Sequence, residues 1–160
     1  MTDSISKHER NLSAAIHAST LSRFFIPFGN ILLPLVLWMA NKKDFAFVDY
    51  NGKQALNFQI SLFLYSAVFG LISLPFFFGI FPGLFDHGFF NPGNWDRFGG
   101  IDFDFNWGHR PFRTWFVPLG IAGFMSGVLF IINIVYTILA TIRTNEGQTF
   151  KYPITINFIK

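Results

Sequence analysis

The sequence predicts an all-α integral membrane protein. Two spanning helices follow a hydrophobic segment broken by proline and glycine, and a long aromatic extracytoplasmic loop joins them. Three observations predict this. Residues 58–81 and 115–142 are runs of 24 and 28 residues without a charge, and about 20 apolar residues cross a hydrocarbon core of about 30 Å. Charged residues make up only 13% of the chain, against roughly 25% in soluble domains. Phenylalanine alone supplies 24 of the 160 residues, more aromatic surface than a small soluble domain, with its high ratio of surface to volume, can bury.

Composition also excludes several classes. With no cysteine there is neither a disulfide framework nor a thiolate metal site. The net charge of +3 and pI near 9.4 fit lysine and arginine gathered at the cytoplasmic membrane edge. No basic run or stacking motif points to nucleic acid. Residues 1–23 mix Asp3, Lys7, Glu9 and Arg10, so no cleavable signal peptide is expected. At this length a single membrane domain over 1–160 is expected.

The first element is an amphipathic and broken stretch over residues 10–40. Leu12, Ile16, Leu21 and Phe24 form a rough helical stripe that includes His17; this histidine either titrates near a lipid headgroup or is a hydrogen-bonded structural residue. Residues 24–40 number 17, about 25 Å of straight helix, which is short for a span. They contain Pro27, Gly29, Asn30 and Pro34, and proline removes a backbone donor and clashes with the preceding turn, so a break is expected near Pro27–Asn30. Charge chooses between a crossing and a re-entrant V. Re-entry keeps nine of the twelve basic residues on the cytoplasmic side (Lys7, Arg10, Arg23, Lys42, Lys43, Lys53, Arg143, Lys151 and Lys160), in keeping with the positive-inside rule.

A cytoplasmic connector is expected next, over residues 41–57. Tyr50-Asn51-Gly52 is a turn signal, and Asn51 with Gln54 has the spacing of a capping box, so the first spanning helix is placed at 54–81. Gln54, Asn57, Gln59 and Ser61 make its start polar, for interface anchoring or helix–helix hydrogen bonding. The loop over 82–114 ends in strict alternation, with Ile101, Phe103, Phe105 and Trp107 on one side and Asp102, Asp104 and Asn106 on the other. That is the period of a strand with one apolar face. The aromatic face is expected to lie as an interaction surface on the outer membrane interface or on a partner protein, because loops this long are seldom idle. The second spanning helix is placed at 115–142 and a cytoplasmic tail at 143–160, packed on that membrane face.

Candidate sites are few. Asp102-x-Asp104-x-Asn106 resembles the start of a calcium loop, but Trp107 stands where glycine is needed and Arg113 where the closing glutamate belongs. Asp86, His87 and His109 lack metal-ligand spacing. No metal or cofactor is therefore expected. Gly120, Gly123 and Gly127 share one face of the second span, and Ser66, Gly70 and Ser73 form a similar face on the first; small residues allow close helix packing in lipid. Those faces serve either packing within the chain or an oligomer. Asn133 is the one strongly polar side chain within the second span, and intramembrane polar groups attract a functional hypothesis. No nucleophile, metalloprotease or phosphate-binding motif appears, so an enzyme is not expected.

Three stretches carry a family resemblance: Phe25-Ile-Pro-Phe-Gly-Asn-Ile-Leu-Leu-Pro34, the run from Phe47 through Asp49, Gly52 and Asn57 to Gln59, and Tyr152 to Lys160. They resemble a bacterial family of small membrane proteins of unknown function grouped with the Tic-twenty-like proteins, whose plant members belong to the chloroplast inner-envelope import translocon. The resemblance implies a multi-pass helical bundle in the bacterial inner membrane with both termini cytoplasmic. It brings no established activity. The resulting expectation is a non-enzymatic membrane subunit or scaffold in contact with lipid and with protein partners or further copies of itself, accessory to protein translocation or membrane assembly. The alternative is an oligomeric channel or a lipid or small-molecule transporter, with Pro27–Pro34 lining its pathway.

Overall fold

Four α-helices and no strand are found among the described residues of the computed structural model, which are 5–77 and 112–160. Helix α1 is Lys7–Ser19 and runs into a 3₁₀ turn, Thr20–Phe24; α2 is Gly29–Asn41, α3 is Ala46–Phe77 and α4 is Phe112–Asn145. The residues fall into two compact units, one of Met1–Tyr65 with Leu129–Lys160 and the other of Ser66–Val128. The expected loop at 82–114 and its strand at 101–107 lie outside the described residues, apart from the first turn of α4.

Helix α1 begins with a capping box: the Ser6 side chain accepts from the Glu9 backbone N–H, and Glu9 reaches back to Ser6. Two of the four orphan N–H groups of a helix start are satisfied in this way. At the far end, Phe28 holds a left-handed backbone (φ 58°) and precedes α2. Gly29 then packs against the 3₁₀ turn, where a Cβ would lie 2.6 Å from Ser22 Oγ. Chain reversal thus rests on one strained residue and one glycine that only its missing side chain fits. Pro34 is buried inside α2, and the helix continues through it.

Residues 7–41 form a hairpin whose contacts rise and then fall along α3 and α4. His8 meets Phe45 edge-on at 5.6 Å, just before α3 begins. Farther along, the Thr20 and Thr137 hydroxyls lie 3.2 Å apart, and Phe24 packs edge-on against Phe130. On the return, Asn30 bonds Gln59 and Trp38 packs over Gly52. Gln59 lies 13 residues into α3 from Ala46, about 20 Å along its axis.

The helix expected to form the first span starts earlier than its turn signal implies. Residues 50–52 are not a turn but lie inside α3, which begins at Ala46, so the connector shrinks to residues 42–45. Two side-chain facts explain this. Asn51 donates to the Phe47 carbonyl within the helix, and Gly52 is the site of closest approach to Trp38, whose Cγ would lie 2.6 Å from an added Cβ. A local Asn-Gly preference is overridden by a tertiary contact that requires glycine.

The apolar core is split between two clusters. Ile16, Trp38, Val48, Ala55 and Leu56 form one; Phe58, Leu62, Ala140 and Tyr152 form the other. In the second, the Phe58 and Tyr152 rings stack at 4.1 Å, which draws the C-terminal tail onto α3. Helices α3 and α4 each contain a stretch long and apolar enough to cross a membrane, Ala46–Leu74 and Gly120–Asn145.

Candidate functional site: a buried polar seam

The interior of the unit formed by Met1–Tyr65 and Leu129–Lys160 carries a chain of polar side chains, and four of the sequence-derived candidates fall on it or beside it. The Asn30 amide donates to Gln59 Oε1 at 3.0 Å. Gln59 in turn donates to Asn133 Oδ1 at 3.0 Å, and the Thr137 hydroxyl donates to the same Asn133 oxygen at 3.2 Å. Helices α2, α3 and α4 are thereby linked through amides whose donors and acceptors are mutually used. Gln59, Asn133 and Thr137 are fully buried. In surroundings where water is scarce, such pairing is what makes a polar interior tolerable.

A second stretch of the seam is centred on His17. Its Nε2 faces Asn51 Oδ1 at 3.2 Å and its Nδ1 faces the Tyr152 hydroxyl at 2.9 Å. Asn51 Oδ1 is an acceptor and also receives Thr144 Oγ1 at 3.4 Å. The fitting tautomer therefore carries its proton on Nε2, leaving Nδ1 to accept from Tyr152. Burial lowers the His17 pKa from 6.5 to about 4, only partly opposed by the Asn51 bond; burial likewise pushes the Tyr152 phenol up. Of the two readings offered for His17, the structure bears out the hydrogen-bonded structural one.

Asn57 has a separate role. Its side chain accepts from the backbone N–H of Phe158 and Ile159 and donates to the Ile159 carbonyl. One turn on, Ser61 accepts from Ile156 N–H; one turn farther, Tyr65 donates to the Ile154 carbonyl. The spacing i, i+4, i+8 puts all three on one face of α3. Together they supply the hydrogen bonds that an extended tail lacks from any strand neighbour.

The remaining candidates divide three ways. Asp49 and Gly52 hold Trp38: its indole N–H donates to Asp49 Oδ1 at 2.9 Å, Asp49 pairs with Lys53, and Lys42 Nζ sits 4.3 Å over the ring. Pro27 is exposed at the reversal between the 3₁₀ turn and α2. Gly120, Gly123 and Gly127 are exposed, and no described residue comes within 4 Å of a Cβ placed on them. Ile101, Phe103, Phe105 and Trp107 lie outside the described residues, as do Asp86, His87 and His109. Among the described residues no group of three or more His, Cys, Asp or Glu is placed to hold a metal. The seam's amides, hydroxyls and imidazole join α1, α2, α3, α4 and the tail through hydrogen bonds.

Sequence reasoning missed several members of this set. Tyr152, Thr137 and Thr144 carry no motif, and only their distant partners reveal them. The Ser6–Glu9 capping box was legible as Ser-x-x-Glu before an apolar stripe.

Residues 8–159 match the model of the magnetosome magnetite crystal formation protein family, MamF/MmsF, and the chain belongs to that family. No curated protein and no solved structure matches it. The match corrects the resemblance to the Tic-twenty-like group. The stretches that suggested it build the hairpin tip, the Trp38 contact and the docked tail. With that correction the translocation role loses its support.

Proposed function

From membership in the magnetosome magnetite crystal formation family, we propose that this chain is a non-enzymatic component of the magnetosome membrane that supports crystal growth. In this reading α3 and α4 cross the bilayer. The hairpin of residues 7–41 enters and leaves from the cytoplasmic face, where both termini lie. The 82–114 loop faces the compartment in which the crystal forms. The family match over 8–159 is the observation that carries the reading, and the two apolar spans fit it. The loop holds four aspartates and two histidines, oxygen and nitrogen donors of the kind that iron accepts. The buried polar groups of the seam are paired with one another, which suits a rigid support better than a reactive centre.

The test is made in a magnetite-forming cell that carries this chain. Removing the chain is expected to change crystal size or shape in electron micrographs. Replacing Asp86, Asp96, Asp102 and Asp104 by Asn together is expected to reproduce that change while the protein stays in the membrane. Unaltered crystals after removal of the whole chain would overturn the reading.

A further inference from the structure

We infer that the hairpin of residues 7–41 places its volume in one leaflet only, and that the protein therefore prefers a membrane that is convex on its hairpin side. The inference rests on the re-entrant reading above.

Length is the first argument. Helices α1 and α2 have 13 residues each, about 20 Å apiece, against a hydrocarbon core of about 30 Å. Neither can cross. Their contacts show where they stop, because the reversal lies beside Gln59 and Phe130. Gln59 is six residues beyond Lys53, the last charge on α3 before the span, which is about 9 Å of helix. Phe130 is 13 residues from Arg143 on α4, about 20 Å. The two marks bracket the middle of a core about 30 Å thick, so the tip stops near the midplane and short of the far interface.

The chemistry of the tip agrees with that depth. Phe25 is 88% exposed and Phe28 68%, with Phe24 and Ile26 exposed beside them. This surface is continuous with exposed Phe130 and Ile131 on the spanning helix α4. Acyl chains are the occupant that such a surface fits, since a water-facing tip would not carry four large apolar side chains so close together. Arg23 limits how far the tip sinks. It lies over the Phe130 ring at 5.8 Å, and a guanidinium at the bilayer centre is costly unless it reaches back to the interface.

The C-terminal tail adds to the same leaflet. It approaches α3 at Tyr65 through Ile154 and returns to Asn57 through Ile159. Backbone without regular structure is tolerated at membrane depth only where protein satisfies its polar groups. Asn57, Ser61 and Tyr65 do that at successive turns of α3. Two re-entrant segments on one side spread the headgroups of that leaflet, and shallow apolar insertion of this kind is sensitive to curvature.

The chain has no cysteine, so single cysteines report sidedness cleanly. Lys7 and Lys43, at the two ends of the hairpin, are both exposed. Full-length K7C and K43C proteins are reconstituted in giant phosphatidylcholine vesicles and labelled with a membrane-impermeant dye. Labelling of both positions from one side on the same molecules, read from the K7C/K43C double variant, is expected; labelling from opposite sides would overturn the re-entrant reading and the inference with it. Narrow tethers are then pulled from vesicles of the K7C protein. Molecules labelled from outside are expected to be enriched in the tether about twofold over a lipid dye, equal to about 0.4 kcal/mol at 1.4 kcal/mol per tenfold. Molecules of the opposite orientation, labelled from the lumen, are expected to be depleted. Same-side labelling with equal density in tether and vesicle, or equal enrichment of both orientations, would overturn the inference alone. Adding F25S and F28N, the latter introducing a side chain at ease in the left-handed backbone, is expected to reduce the enrichment.

Discussion

Helix α3 passes through two very different surroundings. Over Ala46–Tyr65 its polar residues Asn51, Asn57, Gln59 and Ser61 are buried and bonded. From residue 66 to 74 its large apolar side chains Val68, Leu71, Ile72 and Leu74 are exposed. The first stretch is held by protein; the second offers a surface suited to lipid. Glycine shows the contrast most clearly. Gly52 is pressed by Trp38, whereas a Cβ on Gly70, or on Gly123 of α4, meets no described residue. Burial of polar groups and exposure of apolar ones, on one continuous helix, is the reverse of a soluble domain and follows from the change of solvent.

The largest effect that separates these surroundings is titration of His17. In the unfolded chain it takes a proton below pH 6.5, whereas in the folded chain it does so only below about 4. Between those values the unfolded state binds more protons, so stability rises with pH, is complete above about 6.5 and is lost as pH falls toward 4. At 1.36 kcal/mol per pKa unit the loss is about 3 kcal/mol. Thermal unfolding in mild detergent from pH 7.5 to 4 is expected to show a falling midpoint that flattens in the H17Q variant. An unchanged slope in H17Q would assign the effect elsewhere.

The two glycine settings sharpen the comparison next. Gly52→Ala forces Trp38 or the helix to move, and overpacking of this kind costs about 2 kcal/mol. Gly123→Ala meets no described neighbour and gains helix propensity, up to about 1 kcal/mol. Opposite shifts in the unfolding midpoint are therefore expected, with a change in tryptophan emission for Gly52→Ala alone. Asn57→Ala removes three hydrogen bonds to the tail and leaves two backbone N–H groups unpartnered. A loss of about 2 kcal/mol is expected, together with faster proteolysis of residues 146–160 while the helices stay intact.

How much of this was legible in the sequence follows the same division. The two long apolar helices could be read because an uncharged run of apolar residues is a local property. The break near Pro27–Asn30 was also signalled locally, by Pro27 and Gly29, but the left-handed backbone at Phe28 was not. The start of α3 was misplaced because Asn51-Gly52 carries a turn preference, while the reason for glycine there, Trp38, is fourteen residues away. Asn57, Gln59 and Asn133 stood out as polar residues in apolar company, but their roles required partners as distant as Ile159. His17 and Tyr152 are 135 residues apart, and nothing local joins them. The family is shown by the match over residues 8–159, which the three short stretches alone do not supply.

The smallest effect bears on whether the seam holds the fold or serves some other end. Gln59→Leu puts an apolar side chain of similar size on α3 and removes both links, to Asn30 and to Asn133. If the amides only register helices, the loss is about 1 kcal/mol, because interhelical hydrogen bonds in membranes average about 0.6 kcal/mol and the unfolded reference state finds other partners. Asn133→Leu is expected to cost about the same, and the double variant little more than either single one, since each removes the same bond. Equal costs with non-additivity, read from unfolding midpoints in detergent, would mark Gln59 and Asn133 as one structural unit. Full additivity would mean that the two side chains act apart, and the seam would no longer explain why both are buried.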